Sequence, residues 1–388
     1  MNYFVNVIKR ELLKIKRNKF ILFSLFVAPV LLSLCVVWTF SEGILTKLPI
    51  AVLDNDNSDV TRAIIRAVDA TPSVNVKYRI ENVYEGQDLI KSGKAYALII
   101  FPHNFKKDLD RSKRPQISYY YNNQMIIVGG SLTKDIQAAI ATTIKGIDAQ
   151  IRMKQGLARD AAISQVSLIG VDERVKSNPY LNYSYFLTYA SFAHIYQIFV
   201  TLLAIWALGI EFREGTTKQW LECANNSVLT AVFGKLFVYG TILLILMFLS
   251  FFSYTILYGA PFRGNFLYCL FSSVVYLFSY QMMGLCFVAV LSNMRFALSC
   301  GAFYTSLGFS MAGMTFPATA MPAFGRFYSS LLPVRPYVNL IIDQMMKGFA
   351  PKYDLNYLFW ILCIGLFGAS FIPLLHKHLQ DEKLWYQI

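Results

Sequence analysis

Charge is scarce in this chain of 388 residues. Only 15% of its positions are Asp, Glu, Lys or Arg, while 55% are hydrophobic. A soluble domain carries about 25% charged residues, so the balance excludes an ordinary soluble fold and describes a membrane protein. No G-x-x-x-x-G-K-[ST] stretch occurs, so the chain lacks a nucleotide-binding loop of its own. No G-x-S-x-G is present either, and with it goes the commonest serine nucleophile. Histidine is confined to His103, His194, His376 and His378. The last two are close together, but no carboxylate or cysteine joins them at ligand spacing, so no metal site is expected. None of the six cysteines falls between 41 and 182, which excludes a disulfide framework there, and none shows C-x-x-C spacing. Asp54, Asp56 and Asp59 lack the glycine and closing glutamate of a calcium loop. They read as turn residues, with Ser58 or Asp59 capping a following helix.

Acids are fewer than bases: 23 against 36, for a formal charge of +13. The excess flanks apolar runs, where it meets anionic lipid headgroups. No recognition motif accompanies it, so nucleic acid is not expected as a partner.

What is abundant is long apolar sequence. Residues 2–17 are expected to form a basic amphipathic helix. Phe4, Val7, Ile8, Leu12 and Ile15 fall on one arc, Lys9, Arg10, Lys16 and Arg17 on the other. Such a helix lies in the membrane interface. Residues 20–40 form a first span, too long for a cleaved signal peptide, and the six cations before it hold the N-terminus inside. Further spans are expected at 183–209, 229–258, 265–291, 296–316 and 355–375, with a polar tail from 376. The fold class is therefore a membrane α-helical protein of six spans with both termini cytoplasmic. Residues 317–353 are too apolar for a loop and too broken by proline for a span; they read as re-entrant or interfacial helices.

The long hydrophilic excursion at 41–182 alternates strands and helices. Strands are expected near 49–53, 74–80, 95–101 and 117–121, and helices at 59–70, 83–92, after Pro102 and from about 126 to 161. This describes an extracytoplasmic α/β domain.

Intramembrane acids that a proton-driven carrier would use are missing from most of the spans. The segment Glu211-Phe212-Arg213-Glu214-Gly215-Thr216 therefore stands out. It opens a short polar turn, 211–227, between two long apolar runs, where an external push could enter. A helix there would present its charges to a soluble partner and Trp220 to the membrane interface.

Glu211-Phe212 followed by Gly215-Thr216, then Gly234-Lys235-Leu236 opening the next span, resembles permease subunits of the type-2 ABC exporter superfamily. Gly313, Phe316-Pro317, Met321-Pro322 and Leu332-Pro333 are similar to that family's segment before the last span. Leu53-Asp54-Asn55-Asp56-Asn57-Ser58, Ser92-Gly93-Lys94 and Ile100-Phe101-Pro102-His103-Asn104-Phe105 resemble the subgroup with a large insert after the first span. Two departures are the order Arg213-Glu214 before Gly215-Thr216 and the absence of proline from Cys223-Ala224-Asn225-Asn226-Ser227. They leave open which carboxylate meets the ATPase.

The resemblance implies an exporter permease that binds no cofactor itself, with ATP and magnesium in a partner ATPase subunit. It implies a second copy or a paralogous permease as dimer partner, contact with membrane lipid, and a periplasmic adaptor as a further candidate partner, in a bacterial inner membrane. Residues 211–216 would couple to the ATPase, and the helix bearing Lys9, Arg10, Lys16 and Arg17 would complete the docking surface. Thr188, Phe192, Tyr196 and Phe199 of the second span and Tyr304, Phe309 and Met311 of the fifth would line a path for a hydrophobic or amphiphilic substrate between protomers. Phe316, Pro317, Met321, Pro322 and Pro333 would form an outer gate. The alternative from a different class is a membrane-anchored receptor or adhesion module acting through 41–182.

Overall fold

The structure is a computed structural model that describes residues 3–41, 43, 45–111, 113, 115–122, 126–154, 156–160, 182–291, 293–313, 316 and 320–381. The chain divides into two compact units. One is Glu42–Val175 with Pro179–Leu181; the other is Met1–Ser41 with Lys176–Asn178 and Asn182–Ile388.

The first unit is built on four strands: β1 (Leu48–Asp54), β2 (Val74–Ile80), β3 (Ala97–Phe101) and β4 (Ser118–Tyr121), in the order β2-β1-β3-β4. β1 runs parallel to both neighbours, with Ile50 opposite Ala97 and Leu48 opposite Val74, and β4 closes the sheet antiparallel to β3. Parallel strands buried on both faces read as continuous apolar runs, which is why Ile50-Ala51-Val52-Leu53 shows no alternation. Ile50, Val52, Ala97 and Ile99 pack with Ile64 and Val68 of α3 (Asp59–Asp69) and Leu132 and Ile136 of α6 (Ile126–Lys154). Ala51, Leu53 and Leu98 form the core of the other face, toward α4 (Val83–Lys91). Ser58 caps α3, its Oγ accepting from the Thr61 amide at 3.2 Å. A short α5 (Phe105–Asp110) follows β3.

The second unit is helical. α1 (Tyr3–Arg17) precedes α2, a helix over Lys19–Thr39. A π-helical turn at Phe23–Val27 interrupts α2. Pro29 lies just beyond it, and a proline clashes with the carbonyl four residues before it, which the widened turn accommodates. Then come α7 (Tyr183–Arg213), α8 (Thr217–Cys223), α9 (Val228–Tyr258), α10 (Phe266–Leu291), α11 (Met294–Met311), α12 (Ala323–Ser330), α13 (Val334–Ile342), α14 (Leu355–Ala369) and α15 (Ile372–Gln380). α7 is the hub and packs on α2, α9, α10, α11 and α13. α14 lies closest to α10: a Cβ on Gly368 would sit 2.6 Å from the Met282 carbonyl, so only glycine permits this approach.

Among the described residues, five helices are long and apolar enough to cross a membrane: Lys19–Thr39, Ser184–Arg213, Val228–Tyr258, Phe266–Leu291 and Leu355–Gln380. The sequence-based count of six is not matched, because α11 is not among them. Its 18 residues include Arg295, Ser299, Thr305 and Ser306, and they span only about 27 Å.

The proline-rich segment after α11 forms a helical hairpin set into the bundle. The Val334 amide donates to the Tyr280 hydroxyl at 3.2 Å, and the Tyr304 hydroxyl donates to the Leu331 carbonyl at 2.8 Å. By helical rise, Tyr280 lies about 21 Å from the Phe266 end of α10 and about 16 Å from the Leu291 end. The tip at Leu331-Leu332-Pro333 thus reaches the middle of the bundle. α13 then climbs back toward the Phe266 end, where Gln344 Oε1 accepts from the Asn265 amide at 3.1 Å. Pro322 and Pro333 each sit at the N-cap of one hairpin helix.

Candidate functional site

α7 ends where its charges begin. Gly215 takes φ +63°, the left-handed conformation that closes a helix and that favours glycine. The next residue, Thr216, turns its hydroxyl back to donate to Glu211 Oε2 at 2.5 Å, and its amide donates to the Glu211 carbonyl at 3.0 Å. The Glu-x-x-x-Gly-Thr spacing is therefore a folded-back turn that fixes the Glu211 carboxylate.

That carboxylate has no exposure and is ringed by cations. Arg10 grips it with both terminal nitrogens at 2.8 Å, one on each oxygen, Lys14 reaches Oε1 at 2.8 Å, and Lys235 reaches Oε1 at 2.5 Å. Lys235, equally buried, also donates to the Ala207 carbonyl at 2.7 Å and lies 3.3 Å from Glu11 Oε2. The Tyr239 hydroxyl donates to Glu11 Oε1 at 2.8 Å. Lys235 further stands 4.9 Å above the Trp220 ring. Two carboxylates and three cations thus join α1, the end of α7, α8 and the start of α9. Burial works to lower the Arg10 guanidinium, but its bond to Glu211 together with the charges of Glu211 and Glu11 outweighs this and leaves it above its ordinary value. Around the charges, Val7, Phe212, Trp220, Ala231 and Leu236 share one apolar cluster. Val7 fits over Gly234, where an added Cβ would lie 3.0 Å from it.

Several expected roles change in consequence. Glu211 is a buried clamp and cannot present charge outward; within 211–216, Arg213 and Glu214 are the exposed residues. Lys14 also pairs with Glu214 at 3.5 Å. Trp220 is fully buried rather than interfacial, packed into the apolar cluster with Lys235 over its ring. The inner stripe of α1 is Val7, Glu11 and Ile15; Leu12 is exposed. Arg10 leaves the outer arc to reach Glu211, while Lys9, Lys16 and Arg17 remain exposed. Glu11 and Lys14 were missed. Their signal was present: Glu11 is the one acid of α1 and falls at helical spacing between Val7 and Ile15.

The residues expected to line a path do not share a surface. Thr188, Phe192 and Tyr196 are fully buried. The Phe192 ring lies 5.8 Å from Phe251 and 6.1 Å from Tyr254, and the Tyr196 hydroxyl is 2.9 Å from Ser250 Oγ. Their face is the seam between α7 and α9 in one chain, because the hub helix has neighbours nearly all round. Phe199 and Met311 are half-buried, Tyr304 turns to the hairpin, and Phe309 is exposed with its ring centroid 5.2 Å from that of His194, edge to face. Of the expected gate, Phe316 is exposed, Met321 buried, Pro322 exposed and Pro333 buried, while Pro317 lies outside the described residues.

A family model described as ABC-2 family transporter protein matches residues 19–375. The chain belongs to that family. It is 23% identical over 354 residues to the probable multidrug ABC transporter permease YbhS of Escherichia coli K12, and equally so to that of Escherichia coli O157:H7. Each alignment covers 89% of this chain and 90% of the relative. The molecule is thus an ABC-2 permease, a multi-pass helical membrane protein with a four-stranded α/β domain inserted after its first span. Permease subunits of this kind are not catalytic; they pair with ATPase subunits.

Proposed function

We propose that this permease moves a hydrophobic or amphiphilic substrate out of the cytoplasm or inner leaflet, driven by a separate ATPase subunit that docks on α1 and the α7–α8 turn. The observation that carries this is the grip of Arg10, Lys14 and Lys235 on Glu211. It ties an interfacial helix, a surface turn and two spans into one stiff block. Such a block passes a partner's closure to the spans instead of absorbing it. The outer side of the block carries Arg213 and Glu214, exposed and suited to a charged docking partner. The multidrug description of YbhS supports a broad amphiphilic substrate.

In this arrangement α11 is a sixth, short span and both termini are cytoplasmic in a bacterial inner membrane, in keeping with the cations of α1. The functional unit is a dimer with a second copy or a paralogous permease, surrounded by lipid, and the α/β domain faces a periplasmic adaptor. The test is ATPase stimulation in the reconstituted complex. Reversing the exposed pair, Arg213→Glu with Glu214→Arg, is expected to cut stimulation at least tenfold while the thermal unfolding of the permease stays unchanged. Full stimulation by that variant would place the docking surface elsewhere.

A further inference from the structure

Outside the charge cluster, the hairpin holds one more cation at depth. Arg335 follows Val334, whose amide is bonded to Tyr280 about halfway along α10. It lies in a cleft of about 340 Å³ between the hairpin and the start of α14. Arg335 is half-buried, and its guanidinium has no ion pair among the described residues. It also stands in the first turn of α13, which carries no acidic residue. The positive end of a helix and a guanidinium at one place call for an anion. At membrane depth an ionised side chain without a counter-ion is costly and marks a functional site.

The rest of the lining completes a site. Ser329 has no exposure, and its hydroxyl finds no hydrogen-bond partner among the described residues. Asn339 stands one helical turn beyond Arg335, and Asn356 lies at the opening of α14. Tyr357 and Trp360 of α14 supply an aromatic wall, and the Trp360 side chain is largely open. Polar groups thus run from mid-depth to the Phe266 end of the bundle, opposite aromatic rings.

We propose that this cleft binds the anionic head of an amphiphile, a phosphate or carboxylate paired with Arg335, while its apolar chain lies along Tyr357 and Trp360. A guanidinium fork matches either head in a two-point bond that an ammonium cannot reproduce. The site deepens the exporter function by naming the charge class of its ligand, and it rests on that function only for orientation. Binding is read without the ATPase, so failure of coupling and failure of this site are separable.

The experiment measures saturable binding of radiolabelled dodecyl phosphate to the full chain in phosphatidylcholine nanodiscs, with empty discs subtracted. Arg335→Gln is expected to weaken binding at least tenfold, Arg335→Lys less, and Trp360→Ala a few-fold without loss of the preference for anions. Dodecyltrimethylammonium should not compete. Competition by inorganic phosphate would identify a free anion as the natural source, and competition by phosphatidylglycerol in the discs a resident lipid; either retains the anion site. Equal competition by the cationic amphiphile on the unaltered chain overturns the proposal, and that arm needs no variant to fold. So does unchanged binding by Arg335→Gln, including the case where the variant instead alters the dimer, which would make Arg335 a contact between copies.

Discussion

Lys235→Met is the sharpest perturbation of the charge cluster. Glu211 would keep Arg10, Lys14 and the Thr216 hydroxyl, whereas Glu11 would keep only the Tyr239 hydroxyl. Removing one partner of a buried ion pair typically costs about 3–5 kcal/mol, because the other charge is left uncompensated. The cost falls on α1, since Glu11 sits on its inner face between Val7 and Ile15. At about 1.4 kcal/mol per tenfold, hydrogen exchange of the α1 amides should quicken by roughly two to four powers of ten, while exchange in α3 is unaffected. The double variant Lys235→Met with Glu11→Gln should recover most of the loss, because glutamine still accepts from Tyr239 and leaves no orphan charge. A coupling energy of about 2 kcal/mol or more is expected from the double-mutant cycle. Exchange in α1 within threefold of the parent, or simple additivity of the two substitutions, would refute the view that this charge balance holds α1 to the bundle.

Gly368→Ala would drive a Cβ to 2.6 Å from the Met282 carbonyl, and should destabilise by about 1–3 kcal/mol in a detergent unfolding assay. Gly146→Ala on α6, with no atom within 4 Å, should be stabilising by about 0.5–1 kcal/mol. Ser58→Ala removes the cap of α3 and should cost about 1 kcal/mol, seen as faster exchange over residues 59–69. Burial raises the Asp354 carboxyl above its ordinary 3.8, with Asp343 adding to this, Gln344 bonding it and Lys347 opposing. The native state then holds that proton more tightly than the unfolded chain does, so its contribution is full below about pH 4 and is lost as pH rises through the raised value. Asp354→Asn can still accept from Gln344, and should match the parent in acid and exceed its melting temperature at neutral pH.

The α/β domain was legible because its signals are local. Apolar runs such as Ala97–Phe101 and caps such as Ser58 announce each element within a few residues. The strand order was not, since nothing in β4 says that it pairs antiparallel beside β3. The charges of 211–216 mark a turn in the sequence, but they do not say which of them is buried. Glu211 reads as a docking acid until Arg10 and Lys235 are brought to it, and those bonds join residues 201 and 24 positions apart. Helical periodicity finds an apolar face but does not say what covers it. For that reason the shared face of Thr188, Phe192 and Tyr196 on α7 reads as a path in the sequence, whereas in the structure it is buried against α9. Arg335 carries no signal in the sequence because its segment reads as interfacial, and its depth appears only once Val334 is bonded to Tyr280.

The hairpin tip hangs from the bundle by neutral clasps: Tyr280 to Gln197 and Val334, Tyr304 to Leu331, Tyr328 to Tyr304. The end of the bundle that carries α1 is fastened by full charges. Removing a charge should therefore loosen α1 and leave the hydroxyl clasps of the tip in place. Tyrosine-to-phenylalanine changes would loosen the hairpin notch by notch without altering its bulk. A single polypeptide in this way holds two separate latches, one built from ion pairs and one from tyrosine hydroxyls.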